Sequence, residues 1–297
     1  MPNIPRTRRE PDEGERASQQ ELFDKVNDLQ QRLMLSSLRS TVENAERTSR
    51  DAERDLSDIR NYGHRFDESL EDELKRERDN LERARDLFNR RSDDINRTLR
   101  PELDSVMNQL EQASRSGWNV SSLTQRVQRC EQELERIEQE LEDASRDTLK
   151  PLTEICQKVK GLAWAYRQLE EASFDAEKEE ELVSAWEAQW LAADEKSGPW
   201  GVLYLTTKRL IFEQKEKVKT GGFLSKKELK QRLGFWQALD DLERSIDKEK
   251  RKFLSHKELL ELEFKKGEPI KAVMRLRADS DTVDRRIEDY IAGRLEK

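Results

Sequence analysis

The residues best placed to do chemistry gather in one stretch, 215–232. It holds Lys215, Lys217, Lys219, Lys226, Lys227, Lys230 and Arg232, with Glu213 just before it and Glu216 and Glu228 inside it. Between the lysines lies Thr220-Gly221-Gly222-Phe223-Leu224, a turn signal that hands on two large apolar residues. Cations around an apolar tip suit an anionic bilayer. Phe and Leu enter the interface, and each nearby Lys adds about 1 kcal/mol. The plainer alternative is that Phe223 and Leu224 are interior and the lysines form a solvated face. Arg209, a few residues upstream, has the same two readings: it contacts an anionic group from outside, or it pairs with a carboxylate of its own chain.

Catalysis has little to work with. His64 and His256 lie near no nucleophile and in no metal-ligand spacing, and no glycine-rich phosphate loop occurs. Cys130 and Cys156 form no C-x-x-C pair and read as small buried hydrophobes in a reducing cytoplasm. The expectation is a non-enzymatic protein with no cofactor and no metal. Nucleic acid is disfavoured as a partner. The basic stretch offers just Phe223, Phe235 and Trp236 for stacking, and the whole chain carries a net charge of -8.

The elements that would position these residues divide sharply. Charged residues make up 40% of the chain and hydrophobic ones 34%, with a mean hydropathy of -1.04. That is too little apolar material for one large core. No run of about 18 apolar residues is present to span a bilayer, and residues 1–18 are polar, without the apolar segment of a secretory signal. They read as a disordered tail. Residues 199–277 hold 20 Lys/Arg against 12 Asp/Glu, a net of +8, so the rest of the chain carries -16. An acidic body joined to a basic module implies two kinds of partner.

Residues 19–178 read as helix nearly throughout, interrupted by only Gly63, Pro101, Gly117, Pro151 and Gly161. Leu123, Val127, Cys130, Leu134, Ile137 and Leu141 are spaced alternately four and three apart, a heptad seam that Ser122 and Gln125 introduce as a capping box. Leu152, Ile155, Val159 and Leu162 continue it as a second seam. Stripes this narrow need a partner helix. The partner is the chain itself, folded back at Gly63 and at 114–122, or a second copy. The breaks favour hairpins with some self-association, which makes both seams candidate oligomerisation surfaces. Thr98-Leu99-Arg100-Pro101 recurs as Thr148-Leu149-Lys150-Pro151, which a duplicated helical unit would explain, or chance, since proline is favoured in the first turn of a restarted helix.

After 178 the period changes. Residues 201–207 are β-branched and aromatic, and Leu210-Ile211-Phe212 follow. Leu260, Leu262 and Phe264 alternate with charges, a turn signal spans 266–269, and Ile270, Ala272, Met274 and Leu276 alternate in turn, which makes a hairpin. Asp279 or Ser280 caps a last helix with Val283, Ile287, Ile291 and Leu295 on one face. Trp186 and Trp190 read as core anchors rather than an exposed patch. Residues 225–254 are ambiguous: Leu229, Leu233, Trp236, Leu239, Leu242 and Ile246 keep a helical spacing, yet a compact β-module needs a strand here, around 242–248.

Gly201-Val202-Leu203-Tyr204-Leu205-Thr206-Thr207-Lys208-Arg209-Leu210-Ile211-Phe212 resembles the hairpin of the bacterial PH-like and GRAM-like family, with its Leu-Thr-x-x-Arg-Leu core. The likeness covers about the last 115 residues and none of the helical region. It implies an α+β protein: long helices, as coiled coil or antiparallel hairpins, over 19–178, then a PH-like β-barrel closed by an amphipathic helix over 179–297. It also implies a module that binds lipid headgroups or protein partners without catalysis. The segment between Glu213 and His256 is longer and more charged than the family pattern. The resulting expectation is a cytoplasmic, self-assembling scaffold whose basic module docks on anionic lipid at the inner face of a membrane. The alternative is a protein–protein adaptor that never meets one.

Overall fold

The computed structural model describes residues 13–116, 121–191, 198–219, 227–252, 255–265, 272–276 and 280–295. Long helices fill the first part of the chain and an antiparallel sheet the last. The chain clusters into two compact units. One is made of Met1–Arg50 and Leu74–Glu154, the other of Asp51–Glu73 and Ile155–Lys297.

The helices are α1 (Glu13–Arg32), α2 (Ser36–Asn61), α3 (Ser69–Asp94), α4 (Arg100–Ser116) and α5 (Ser121–Glu170). Residues 13–18, expected in the tail, already belong to α1. In the first unit one buried cluster joins Leu22, Val26, Leu29 and Leu33 of α1 to Leu103, Val106 and Leu110 of α4 and to the α5 seam Leu123, Val127, Cys130, Leu134, Ile137 and Leu141. All three stripes use the same alternation of three and four, so each helix covers the others' apolar side. The seam residues are at most 6% exposed. The fold-back alternative therefore describes this seam, and its burial needs no second copy. Leu152, Ile155, Val159 and Leu162 are buried as well. Lys25–Glu131 at 2.6 Å, Arg32–Glu138 at 2.5 Å and Arg126–Glu102 at 2.7 Å flank the cluster.

The two prolines differ. A π-turn at Ile95–Leu99 separates α3 from α4, and the Arg100 N–H donates to the Ile95 carbonyl. Pro101 follows in the first turn of α4, where its missing donor costs little. Pro151 sits inside α5 with no restart, against the expectation for that position. In both copies of the tetrapeptide the threonine hydroxyl donates to the carbonyl four residues back, Thr98 to Asp94 at 2.6 Å and Thr148 to Ala144 at 2.9 Å.

The second unit contains β1 (Leu182–Leu191), β2 (Trp200–Thr206), β3 (Arg209–Lys219), β4 (Lys227–Ala238), β5 (Leu242–Lys252), β6 (Ser255–Phe264), β7 (Ala272–Leu276) and α6 (Ser280–Ile291). Its seven strands lie in the order β4-β3-β2-β1-β7-β6-β5, every pair antiparallel. The described part of the ambiguous stretch 225–254, residues 227–252, is strand and not α-helix, with a 3-10 turn at Leu239–Asp241 between β4 and β5. Pairing along the whole of β3, from Arg209↔Ala238 to Lys219↔Lys227, overrides the local helical spacing.

The expected barrel is not closed. β4 and β5 follow one another in sequence but stand at the two edges of the order, and no pairing joins them among the described residues. The core is nevertheless shared: Phe235 of β4, Leu242 of β5, Leu203, Leu205, Phe212, Leu260 and Leu262 form one cluster with Val283 and Ile287 of α6. Phe66, from the turn between α2 and α3, belongs to the same cluster. Asp51–Glu73 belongs to the same unit.

Gly201 shows how tightly the first hairpin is built. It pairs with Gln214, and a Cβ added there would lie 2.0 Å from the Glu213 carbonyl oxygen. Gly161, inside α5, has nothing within 4 Å of the same construction. Urea denaturation of the two alanine variants tests this contrast. Gly201→Ala should destabilise by about 2–3 kcal/mol, whereas Gly161→Ala should stabilise by about 0.5–1 kcal/mol. Equal effects would contradict the close strand approach.

Candidate functional site

Two clusters of charge organise the second unit, and a third basic region extends past its sheet. The first begins at the end of α2. Gly63, with φ +93, reverses the chain, and Asp67 also takes a positive φ of 57. Arg60 satisfies the turn between them. Its guanidinium donates to the carbonyls of His64 at 2.9 Å, Phe66 at 2.8 Å and Asp67 at 2.9 Å, and to Glu71 at 2.6 and 2.8 Å. Three carbonyls that would otherwise lose water are paired by one cation. Phe66 is thereby delivered to the sheet core, edge-on to Tyr290 at 5.8 Å.

The same turn is fastened on either side. Nδ1 of His64 lies 3.1 Å from the Tyr166 hydroxyl, and Nε2 lies 3.8 Å from Asp67. Arg286 of α6 donates twice to Asp67, at 2.8 and 2.5 Å. Burial alone would raise the Asp67 carboxyl. The two hydrogen bonds from Arg286, with the charge of its guanidinium, more than offset it and hold the group well below the usual carboxylate range.

The second cluster lies on β2, β3 and β4. Glu213 is fully buried. It accepts from the Ser173 N–H at 2.6 Å, from Gln231 at 2.9 Å and from the Tyr204 hydroxyl at 3.3 Å, with Lys215 Nζ at 3.7 Å. Lys215 also donates to the Gln168 carbonyl at 3.0 Å. Arg209 is paired with Glu180 through two hydrogen bonds, at 2.9 and 2.5 Å, and lies over the Trp236 ring at 5.5 Å. Burial would raise Glu180, but Arg209 and the Thr206 hydroxyl keep it lowered. Of the two readings of Arg209, the geometry holds the internal pair. Both Arg209 and Lys215 are thus engaged by carboxylates of their own chain.

The remaining basic residues sit differently. β2 accompanies β3 only as far as Gly201↔Gln214, whereas β3 and β4 continue together to Lys219↔Lys227. Residues 215–219 and 227–231 therefore form a two-stranded ribbon that overhangs the sheet. Lys217, Lys219, Lys227 and Lys230 are on it, and Arg232 is at its root, exposed. Phe223, Leu224 and Lys226 lie outside the described residues.

Two surface residues escaped the sequence reading. Trp236 is 51% exposed and Leu233 is 36% exposed, although three residues apart on a strand they should face opposite ways. The register shift between Phe212 and Glu213, opposite Gly234, corrects the alternation. A Cβ on Gly234 would meet the Phe212 ring at 2.7 Å, which explains why glycine stands there. Trp190 is edge-on to Phe212 and Phe235 and Trp186 is half-buried against the core, so both serve as anchors.

A groove of about 930 Å³ opens in the same unit, lined by Trp164, Trp186, Lys160, Glu73, Arg285 and Asp289 among others. It offers indole surface and charges of both signs, and its lining includes neither cysteine nor histidine. Among the described residues no cluster of His, Cys, Asp and Glu is placed to hold a metal ion. Burial pushes both thiols up, away from reactivity at neutral pH.

No family model matches the sequence, and no curated protein matches it. Among solved structures, the N-terminal PH domain of Vps36 is 17% identical, over 40% of this chain and 86% of that one, with a TM-score of 0.26. Autoinhibited Vav1 is 14% identical, over 92% of this chain and 55% of that one, at 0.27. Vav1 bound by an allosteric inhibitor is 12% identical, over 95% and 84%, at 0.28. Likeness at this level carries no argument about activity or partners. Among the described residues no helix is long and apolar enough to cross a membrane.

The Asp67–Arg286 pair has a pH signature. The carboxyl is depressed in the folded state, so its stabilisation is complete above its unfolded pKa, about 3.9, and is lost as pH falls below that towards the folded value. Asp67→Asn should cost about 2 kcal/mol at pH 7 and should flatten the decline in stability below pH 4. Urea midpoints measured across the acid range check it; parallel wild-type and variant curves would contradict the assignment.

Proposed function

We propose that this chain is a non-enzymatic adaptor whose C-terminal sheet is a PH-like module that docks on anionic lipid at the cytoplasmic face of a membrane. An antiparallel sheet followed by a helix supports this reading, although the closed barrel that the Leu-Thr-x-x-Arg-Leu resemblance implies is not formed. The observation that carries the docking reading is the overhanging β3–β4 ribbon. Lysines at 217, 219, 227 and 230 stand on strands with no third neighbour among the described residues, joined by a sequence that contains Phe223 and Leu224. Contacts of about 1 kcal/mol per lysine give a weak, salt-sensitive attachment. The reading needs no self-assembly, because the seam residues are already covered within the chain.

A second reading, a protein–protein adaptor, draws on Trp236 and Leu233, which present an indole and an aliphatic side chain on an edge strand.

Flotation with phosphatidylcholine vesicles, with and without phosphatidylserine, separates the two. Lipid docking predicts binding only to the anionic vesicles, lost at high salt and weakened at least twofold when Lys217, Lys219 and Lys227 are all changed to Glu. Binding that ignores the three substitutions would remove the ribbon from the site, and absence of binding would leave the adaptor reading.

A further inference from the structure

The basic ribbon has a twin. Lys215-Glu216-Lys217-Val218-Lys219 ends β3, and Lys248-Glu249-Lys250-Arg251-Lys252 ends β5. Phe223-Leu224-Ser225-Lys226-Lys227-Glu228-Leu229 leads into β4, and Phe253-Leu254-Ser255-His256-Lys257-Glu258-Leu259 leads into β6. Ten of these twelve aligned positions are identical, and Thr220-Gly221-Gly222 is an insertion in the first copy. Chance does not readily repeat so specific a sequence at the same place in two hairpins.

The fold context repeats too. β5 and β6 stay paired from Leu242↔Phe264 to Lys252↔Ser255, but β7 accompanies β6 only from Leu259 to Leu262. Among the described residues 248–252 and 255–258 thus run past the last pairing with β7, as 215–219 and 227–231 run past β2. The two ribbons occupy opposite edges of the order. They also leave by opposite ends. Four successive antiparallel steps separate β3 from β6, so these strands run the same way; one hairpin turns after the end of β3, the other before the start of β6. The tip residues 220–226 and 253–254 lie outside the described residues, and the strands carry the inference.

We propose that the β5–β6 ribbon is a second contact for the same class of ligand, and that the chain bridges two anionic bilayers. This rests on the lipid-docking reading of the first ribbon. Lys250 stands opposite Lys257 and Arg251 opposite His256, with Glu249 opposite Glu258 beside them, and the stretch 248–259 as a whole carries more cations than carboxylates. Ribbons that leave a sheet at opposite ends do not share one flat membrane, so a second surface is the partner that uses both.

The test employs the full chain and vesicles of phosphatidylcholine with phosphatidylserine as the minor component, read by co-sedimentation and by dynamic light scattering. The wild type should bind and cluster vesicles. Lys217→Glu with Lys219→Glu and Lys227→Glu, or Lys250→Glu with Arg251→Glu and His256→Glu, should each lower binding by about twofold, as expected for loss of one of two independent sites. Each should abolish clustering, and the two sets combined should abolish binding. Circular dichroism monitors folding, and alanine at the same positions replaces any glutamate set that unfolds. Wild-type binding without clustering overturns the bridging inference alone. So does clustering that survives loss of the second ribbon. Absence of wild-type binding instead overturns the reading beneath it.

Discussion

The sheet unit depends on one phenylalanine supplied from between two helices. Phe66 is 2% exposed inside the strand core, and burial of such a side chain stabilises by about 1.5–3 kcal/mol. It arrives there because Arg60 accepts the electrostatic demands of a turn in which two residues have positive φ. A lysine could not do this, since its single ammonium lacks the planar fork that reaches three carbonyls and a carboxylate together. The apolar contact and the cationic scaffold are therefore one device. His64 against Tyr166 and Asp67 against Arg286 hold its flanks.

A division of charge follows from the same economy. Arg209, inside the motif by which the hairpin resembles a known family, and Lys215, just past it, are both matched to buried carboxylates, Glu180 and Glu213. Each carboxylate in turn receives several donors, which is the condition under which a buried charge is tolerated. The motif thus marks a way of building a hairpin. The lysines on which the docking proposal rests are found farther along, on the strand ends beyond Gln214.

Much of this was legible in the residues. The three–four rhythm of Leu123 to Leu141 specified a helix with one covered stripe, and the alternation around Leu260 to Phe264 specified a strand. Which helix covers the stripe was not legible, because a heptad pattern is the same whether its partner is another segment or another molecule. Residues 225–254 misled for a definite reason. Leu229, Leu233, Trp236 and Leu239 keep helical spacing, but Leu233 and Trp236 are not core residues at all; they are exposed on an edge strand and brought to one face by the shift at Gly234. Phe66 sat in an interrupted helical stripe with nothing local to show that it belonged to a sheet. The repeated Lys-Glu-Lys segment was visible throughout, yet each copy alone reads as an ordinary solvated charge run. Only the matching overhang in both hairpins gives the repetition meaning.

The contact between Asp67 and Arg286 joins positions 219 residues apart in the chain. A polypeptide emerging from the ribosome presents the Gly63 turn long before the strands that will receive Phe66 exist, and α6 appears after all of those strands. Non-local pairings of this kind form slowly, because the intervening chain must be ordered first. The phenylalanine waits through the synthesis of the whole intervening stretch without its pocket, so completion of the sheet is paced by the emergence of α6.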